Sequence, residues 1–380
     1  MANARDLCKR WLQTFLWMGR GVAPPQGVLP TAQWFAEGGA GEFFEEPPAD
    51  KTFQPPPRKT YQYDGSESHE EAIQYHPSSH FLAHIENGRV AERTGSAITP
   101  DNHLLEELSP CWSGEPSRHP LLACGKLPPV KRVAGKVAVL SSYGGENYYH
   151  WFTEALPRLR LIQQQGLDFQ WCYAPNQFPF HRESLRLLGV SDEQILPVGR
   201  FAHIQADGIL AASIPSRQHH LPAPFREFLR ERFLGNCLEN ETPSAKTPTR
   251  IYISRRQAKR RKIVNESELR EVLRSRGFQT VYLEQLPLVE QIRLFAGAEA
   301  IVAAHGAGLT NLLFARPETA VLEIGTPDRL LHCFYNLAWQ GKQRYAHLLG
   351  RAVRRRPRGG DSDIEVGLEG LQKTLAELDL

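Results

Sequence analysis

From Lys136 onward the chain alternates short apolar runs with longer segments of helical period, and that alternation predicts a parallel, doubly wound α/β sheet. Lys136 to Ser142, Phe169 to Ala174, Ile209 to Ser213, Arg250 to Ser254, 279–283, Ala300 to Ala304 and 320–324 read as strands. Residues 181–188, 223–234, 266–276, 287–297 and 309–315 read as the helices between them. The polar, Pro-containing stretch Asn240 to Thr249 marks a boundary, which predicts one domain over 61–240 and a second over 250–350. Residues 61–130 show no clear period. Residues 21–60 carry Pro24-Pro25, Pro47-Pro48 and Pro55-Pro56-Pro57 and predict extended coil, so 1–60 is expected to be an irregular extension with a short N-terminal helix. A basic tail at 351–360 and a last helix within 363–377 close the chain.

Three segments of this pattern carry candidate chemistry. In the first, the buried run Ala300 to Ala304 leads into His305-Gly306-Ala307-Gly308 and then a helix start with Thr310 and Asn311. The glycines allow close approach, and a helix N-terminus offers free N–H groups and a positive dipole end that suit a phosphate. A ligand-free strand-to-helix turn has the same pattern. In the second, Arg255 falls at the end of a strand, where open α/β sheets bind their ligands, and a guanidinium grips phosphate oxygens in a fork. Arg256, Lys259, Arg260, Arg261 and Lys262 follow with no acid among them; they suit a solvated loop or a nucleic-acid patch. Asn265 reads as a helix cap, with Glu266 and Glu268 in the first turn. In the third, Asn147 can cap a helix on which Asn147, His150 and Glu154 share one face. A His and a carboxylate so placed can act as a base and its orienting partner, or pack as a satisfied half-buried pair.

Taken together, Asn147-Tyr-Tyr-His150-Trp-Phe-Thr-Glu154, Ile253-Ser-Arg255, Arg261-Lys-Ile-Val-Asn265-Glu266, His305-Gly-Ala-Gly-Leu-Thr-Asn311 and Val321-Leu-Glu-Ile324 resemble glycosyltransferase family 61, also called DUF563 or capsular polysaccharide biosynthesis protein-like. The resemblance covers about residues 136–326. It implies a GT-B fold, with two Rossmann-like domains facing across a cleft, and inverting transfer from a nucleotide sugar, usually a UDP-sugar, to a glycan or other hydroxyl acceptor. It implies no cofactor and no essential metal. Carried over by position, Asn147, Ser254, Arg255, Arg261, Asn265, His305, Gly306, Ala307, Gly308, Thr310, Asn311 and Glu323 would serve the donor, with Glu323 near a ribose hydroxyl. His150 and Glu154 would be the catalytic pair in the acceptor-side domain. Two positions depart from the pattern: Glu154 stands where many relatives have Asp, and Pro287 where a helix cap such as Ser is expected. The choice of base between His150 and Glu154 therefore stays open.

The rest of the composition narrows the reading. Across 380 residues, 45 Lys and Arg nearly balance 42 Asp and Glu, for a net charge of +3, which argues against nucleic acid as the main ligand. Cys8, Cys111, Cys124, Cys172, Cys237 and Cys333 are scattered without zinc spacing and suit reduced thiols. His219, His220 and His305 lack the companions of a metal site, and the Asp-x-Asp at Asp361 and Asp363 falls in the expected mobile tail. Leu7, Trp11, Phe15 and Met18 form an apolar stripe too short to span a bilayer; docking on the protein's own core is expected, with a weak peripheral membrane contact as the alternative. A cytoplasmic location follows, at the inner face of a membrane in that alternative. The other functional reading is a non-catalytic protein of the same fold that binds a nucleotide sugar or polyanion.

Overall fold

The computed structural model describes residues 19–49, 51–71, 73–111, 114–238, 248–353 and 361–380. The apolar stripe at 7–18, most of the expected boundary stretch and the basic run 354–360 lie outside the described residues. The chain divides into two units, Met1–Pro48 with Ser78–Pro215 and Ala49–Pro77 with Ser216–Leu380.

The second unit is built on a seven-stranded sheet in the order Gln279–Val281, Arg250–Ile253, Ala300–Ala304, Ala320–Gly325, Arg344–Leu349, Arg58–Tyr61 and Glu67–Glu70. All neighbours pair in parallel except the last two, which form a hairpin. Ala300–Ala304 is buried at every position, as a central strand covered on both faces must be. The helix Glu266–Ser275 turns Leu269 and Leu273, four residues apart, onto a core with Tyr252, Val302, Leu322 and Leu348. The helix Leu368–Glu377 buries Leu371 and Leu375 in the same core.

The first unit carries a ten-stranded mixed sheet. Its parallel part runs Ile195–Pro197, Trp171–Ala174, Lys131–Val139 and His203–Ala212. His203–Ala212 then pairs antiparallel with both His80–Glu86 and Arg89–Ala91. The alternation over 136–213 is therefore parallel as expected, while the segment before it adds an antiparallel half that had no readable period.

Residues 21–60 correct the expectation of coil. Thr31–Ala36 is helical, Gly41–Glu46 pairs with His80–Glu86, and Arg58–Tyr61 is a sheet strand of the second unit. The prolines fall between these elements or at their edges, where a missing N–H costs nothing. The tail is also more ordered than expected around the Asp-x-Asp. Asp361, Ser362 and Asp363 are buried, and Asp363–Glu365 pairs with Arg351–Val353. No helix among the described residues is long and apolar enough to cross a membrane.

Arg58 is fully buried beneath this sheet. Its guanidinium donates to Glu70 and, at 2.7 Å, to the Leu331 carbonyl. Burial would raise the Glu70 carboxyl, but His347 beside it and Arg58 outweigh that and hold it at about 2. Burial lowers His347 and His332 in this unit, and in the first unit it lowers His181 and takes His203 down to about 4. Each of these groups binds protons less readily folded than unfolded, so each stabilises at neutral pH and loses that contribution as pH falls. Melting temperature is expected to hold near pH 7, decline between about 6.5 and 4 as the histidines charge, and fall further toward pH 2 as Glu70 protonates. A melting temperature constant from pH 7 to 4 would contradict the buried neutral histidines.

Candidate functional site

In the second unit the ends of adjacent parallel strands bring a guanidinium to a glycine. Arg255 follows Arg250–Ile253, and Gly306 follows Ala300–Ala304, its immediate neighbour in the sheet. A Cβ at Gly306 would stand 2.1 Å from Arg255 Nη1, so only glycine leaves the side chain its place. Arg255 Nη2 donates to the Arg260 carbonyl at 3.2 Å. Burial lowers its pKa, with Glu284 and Asp361 opposing. Arg261 sits nearby with its backbone at φ 57°, a left-handed conformation uncommon for arginine. Burial first, then Arg255 and Arg329, bring Arg261 down to about 10. Arg255, Arg261 and Arg329 each keep a buried Nε without a hydrogen-bond acceptor. Three neighbouring guanidinium groups that retain unspent donors form a place for an anion. Arg329 lies four residues past the strand Ala320–Gly325, in a turn where no periodic signal singled it out.

The loop carrying these arginines is stitched to the tail. Arg260 pairs with Asp361 at 2.7 Å, and the Lys262 N–H donates to Asp363 at 3.0 Å. Asn265 does not cap the helix Glu266–Ser275 with its side chain. It exchanges two hydrogen bonds with the Val366 backbone, at 2.8 and 2.9 Å, because the tail segment lies where the cap would turn. Ser254 is buried and donates to Glu266 at 2.5 Å, with Tyr252 donating to the same oxygen at 2.8 Å. Its hydroxyl thus shapes the strand end.

The turn after Ala304 is held from within. His305 Nδ1 bonds Glu323, and Tyr345 donates to the other Glu323 oxygen. Glu323 is only 1 % exposed. Burial would raise its carboxyl, yet His305 foremost keeps it ionised, at about 2. Each Glu323 oxygen accepts one of these bonds, so Glu323 fixes the His305 ring and leaves Nε2 as that ring's remaining polar atom. Ala307–Leu313 is a 3₁₀ helix, not the α-helix expected. Thr310 donates to the Ala307 carbonyl at 2.6 Å, and Asn311 reaches Gln291 at 3.2 Å. Gly308 packs where a Cβ would meet Leu283 at 2.7 Å.

The first unit carries the third segment. Asn147 accepts from the Tyr149 N–H at 2.9 Å and caps Tyr148–His150, so its carbonyl serves the helix start. The next turn, Trp151–Ala155, widens to a π-helix, a form found mostly as single turns near functional sites. His150 Nδ1 and Glu154 Oε1 lie 2.6 Å apart, with side chains 40 % and 20 % exposed. Arg158 follows four residues later, buried, and donates to the Ser141 carbonyl at 2.9 Å. Burial pushes its pKa to about 10 against the attraction of Glu154. An imidazole and a carboxylate so placed can act as a base and its orienting partner, with a buried guanidinium nearby, and Arg158 was not singled out from the sequence. The Gly-Gly turn before it is fixed by His181, which bonds the Gly145 carbonyl at 3.0 Å. Gly144 makes room for the ring, since a Cβ there would lie 2.6 Å from His150 Cγ. Gly144→Ala is expected to tilt His150 and cut turnover by up to about 10²-fold, the scale of a 1 Å misplacement. Unchanged kinetics in that variant would show that the ring is free to move.

No group of three or more His, Cys, Asp or Glu among the described residues is placed to hold a metal ion. The five described cysteines form no disulfide with one another.

The segment that carries these features matches a known family. The model of the family described as Glycosyltransferase 61 matches residues 148–322. Over 97 residues, 25 % of this chain, the sequence is 36 % identical to the EGF domain-specific O-linked N-acetylglucosamine transferase of Drosophila melanogaster. That stretch spans 18 % of the relative's length. A solved structure, the bacterial iron-containing dodecameric glycosyltransferase TibC from enterotoxigenic E. coli H10407, aligns over 94 % of this chain and 99 % of that one. Its identity is 12 % and its TM-score 0.33, too low a likeness to carry an argument. Residues 148–322, the part of the chain that matches the Glycosyltransferase 61 model, hold His150, Glu154, Arg255 and the His305 turn.

Proposed function

We propose that the chain is an inverting glycosyltransferase that moves a sugar from a UDP donor to a hydroxyl acceptor without a divalent metal, in the GT-B arrangement that the family resemblance implies. The observation that carries the donor assignment is the group Arg255, Arg261 and Arg329, whose buried Nε atoms lack acceptors. A diphosphate supplies those acceptors, and fixed guanidinium groups take over the charge that a metal ion would otherwise neutralise. In the proposed reaction the acceptor O–H gives its proton to His150 as its oxygen attacks the anomeric carbon. The bond from that carbon to the diphosphate breaks with inversion, and the arginines hold the departing charge. Glu154, bonded to His150, orients the ring and stabilises the imidazolium that forms; Arg158 adds a positive charge near Glu154. His305, fixed by Glu323, stands at the donor turn.

The Drosophila relative is named for transfer of N-acetylglucosamine, which makes UDP-N-acetylglucosamine the first donor to test. Calorimetric titration with UDP, followed by assay of UDP release from a panel of UDP-sugars, tests the proposal. Absence of UDP binding would overturn the donor assignment. Binding without slow hydrolysis or transfer from any donor would favour the non-catalytic reading.

Chelation separates metal-dependent from metal-independent transfer. Activity is expected to be nearly unchanged in excess EDTA, because the arginines already balance the diphosphate. Loss in EDTA with recovery on adding magnesium or manganese would replace that account.

A further inference from the structure

The second unit has another cleft, of about 590 Å³, that shares no lining residue with the arginine group or the His305 turn. Its floor is aromatic. Trp339 and Phe53 stack with ring centroids 4.9 Å and planes 23° apart, and Phe53 packs on His220 at 4.7 Å. Trp339 is the penultimate residue of the helix Cys333–Gln340, whose residues Cys333 to Ala338 are all buried, yet it keeps 36 % of its surface exposed. Lys51, Arg226 and Lys342 also line the cleft, and no Asp or Glu is among its described lining residues. Gln340 completes it: its Nε2 donates to the Leu221 carbonyl at 2.6 Å, while its Oε1 is buried with no donor in reach. The turn that presents His220 is strained, with Gln218 and His219 at φ 49° and 61°, and Lys342 stands at φ 57°.

These features ask for three properties in one ligand. Arg226 already donates to the Gln340 carbonyl and lies 3.9 Å from Glu227, but Lys51 and Lys342 suit an anionic group. The orphaned Gln340 oxygen requires an O–H or N–H, which a bare carboxylate or phosphate dianion does not supply. The open indole requires a flat apolar face. We infer that this cleft binds an acidic saccharide, with a sugar ring on Trp339, a hydroxyl on Gln340 and a carboxylate or other anionic substituent at Lys342 and Lys51. The choice of a saccharide over a nucleotide rests on the transferase reading, in which the donor nucleotide has its cations at Arg255 and the cleft is left to the glycan acceptor. The cleft thus names the acceptor class, a chain that carries acidic sugars.

Calorimetry of the full chain with tetragalacturonate, cellotetraose and UDP tests this. Tetragalacturonate is expected to bind, cellotetraose at least tenfold more weakly, and the acidic ligand to weaken as salt rises. Trp339→Ala and Lys342→Glu should each weaken tetragalacturonate by tenfold or more, Trp339→Phe by less, and Arg255→Ala not at all. UDP should show the reverse pattern, losing affinity in Arg255→Ala alone. Lys342→Glu and Trp339→Phe decide the matter if circular dichroism shows Trp339→Ala unfolded. The inference falls if tetragalacturonate gives no heat, if cellotetraose binds equally, or if neither ring nor cation substitution changes its affinity. It also falls if UDP affinity is lost in Trp339→Ala and kept in Arg255→Ala, which would make the cleft a nucleotide site. Tetragalacturonate binding without UDP binding at Arg255 would sink the donor assignment and leave the cleft standing.

Discussion

Replacing His150 by alanine is expected to lower turnover by about 10²–10⁴-fold, the range for removing a general base, while UDP affinity and melting temperature stay near those of the parent chain. The imidazole is 40 % exposed, so its loss opens no core cavity. Its contact with Glu154 is an i,i+4 pair at the surface, of a kind that contributes little to stability. The chemistry depends on it more. Glu154 bonds Nδ1, which leaves Nε2 to take the acceptor proton, and the buried Arg158 keeps a positive charge behind the carboxylate. Glu154→Gln should cost less than His150→Ala, since an amide still orients the ring but stabilises an imidazolium poorly. Single-turnover rates at saturating donor separate the two roles. A greater loss in Glu154→Gln than in His150→Ala would make the carboxylate the base, and equal activity in all three proteins would remove the pair from the reaction.

Arg255→Ala is expected to weaken UDP binding by about 1.5–3 kcal/mol, the range for a hydrogen bond to a charged group. Arg329→Ala should weaken it in the same direction, because its Nε is likewise buried without an acceptor. Arg256→Ala, at an exposed position one residue on, should do much less. Gly306→Ala gives an independent check. Its methyl would stand 2.1 Å from Arg255 Nη1, and the flexible guanidinium must move aside, so UDP affinity should fall while the fold survives. Calorimetric titration of the four variants reads all of this. Equal small effects at Arg255, Arg256 and Arg329 would reduce the group to a solvated basic loop.

The features that a local pattern encodes were legible. Ala300–Ala304 was read as a strand to the residue, because an unbroken apolar run leaves no other covered arrangement. Asn147 was read as a cap and found as one. Arg255 was placed at a strand end by counting, and its meeting with Gly306 follows from strand adjacency. What failed depends on partners far away in the chain. Asn265 has the composition of a cap, but its side chain is taken by Val366, 101 residues later. Arg58 comes from a stretch that its prolines made look like coil and its partner Glu70 from one with no clear period, and the burial of Arg58 depends on a sheet completed by Arg344–Leu349. The π turn at Trp151–Ala155 breaks the 3.6 period on which helical faces are counted, and no Gly or Pro inside it gives warning.

The placement of residues 49–77 in the second unit has a consequence for synthesis. The chain crosses between units three times, after Pro48, after Pro77 and after Pro215. A nascent chain therefore carries Arg58–Tyr61 past the entire body of the first unit before Arg344–Leu349, its sheet neighbour, exists. Residues 78–215 can collapse early with the strand Gly41–Glu46, but the hairpin Arg58–Glu70 waits with an unpaired edge and a charge destined for burial. Such long-range closure is slow and leaves strand edges open to other chains meanwhile. Production of this protein should be more sensitive to temperature and chaperone supply than its balanced charge suggests. Any truncation ending before Arg344 should yield aggregate rather than a free second unit.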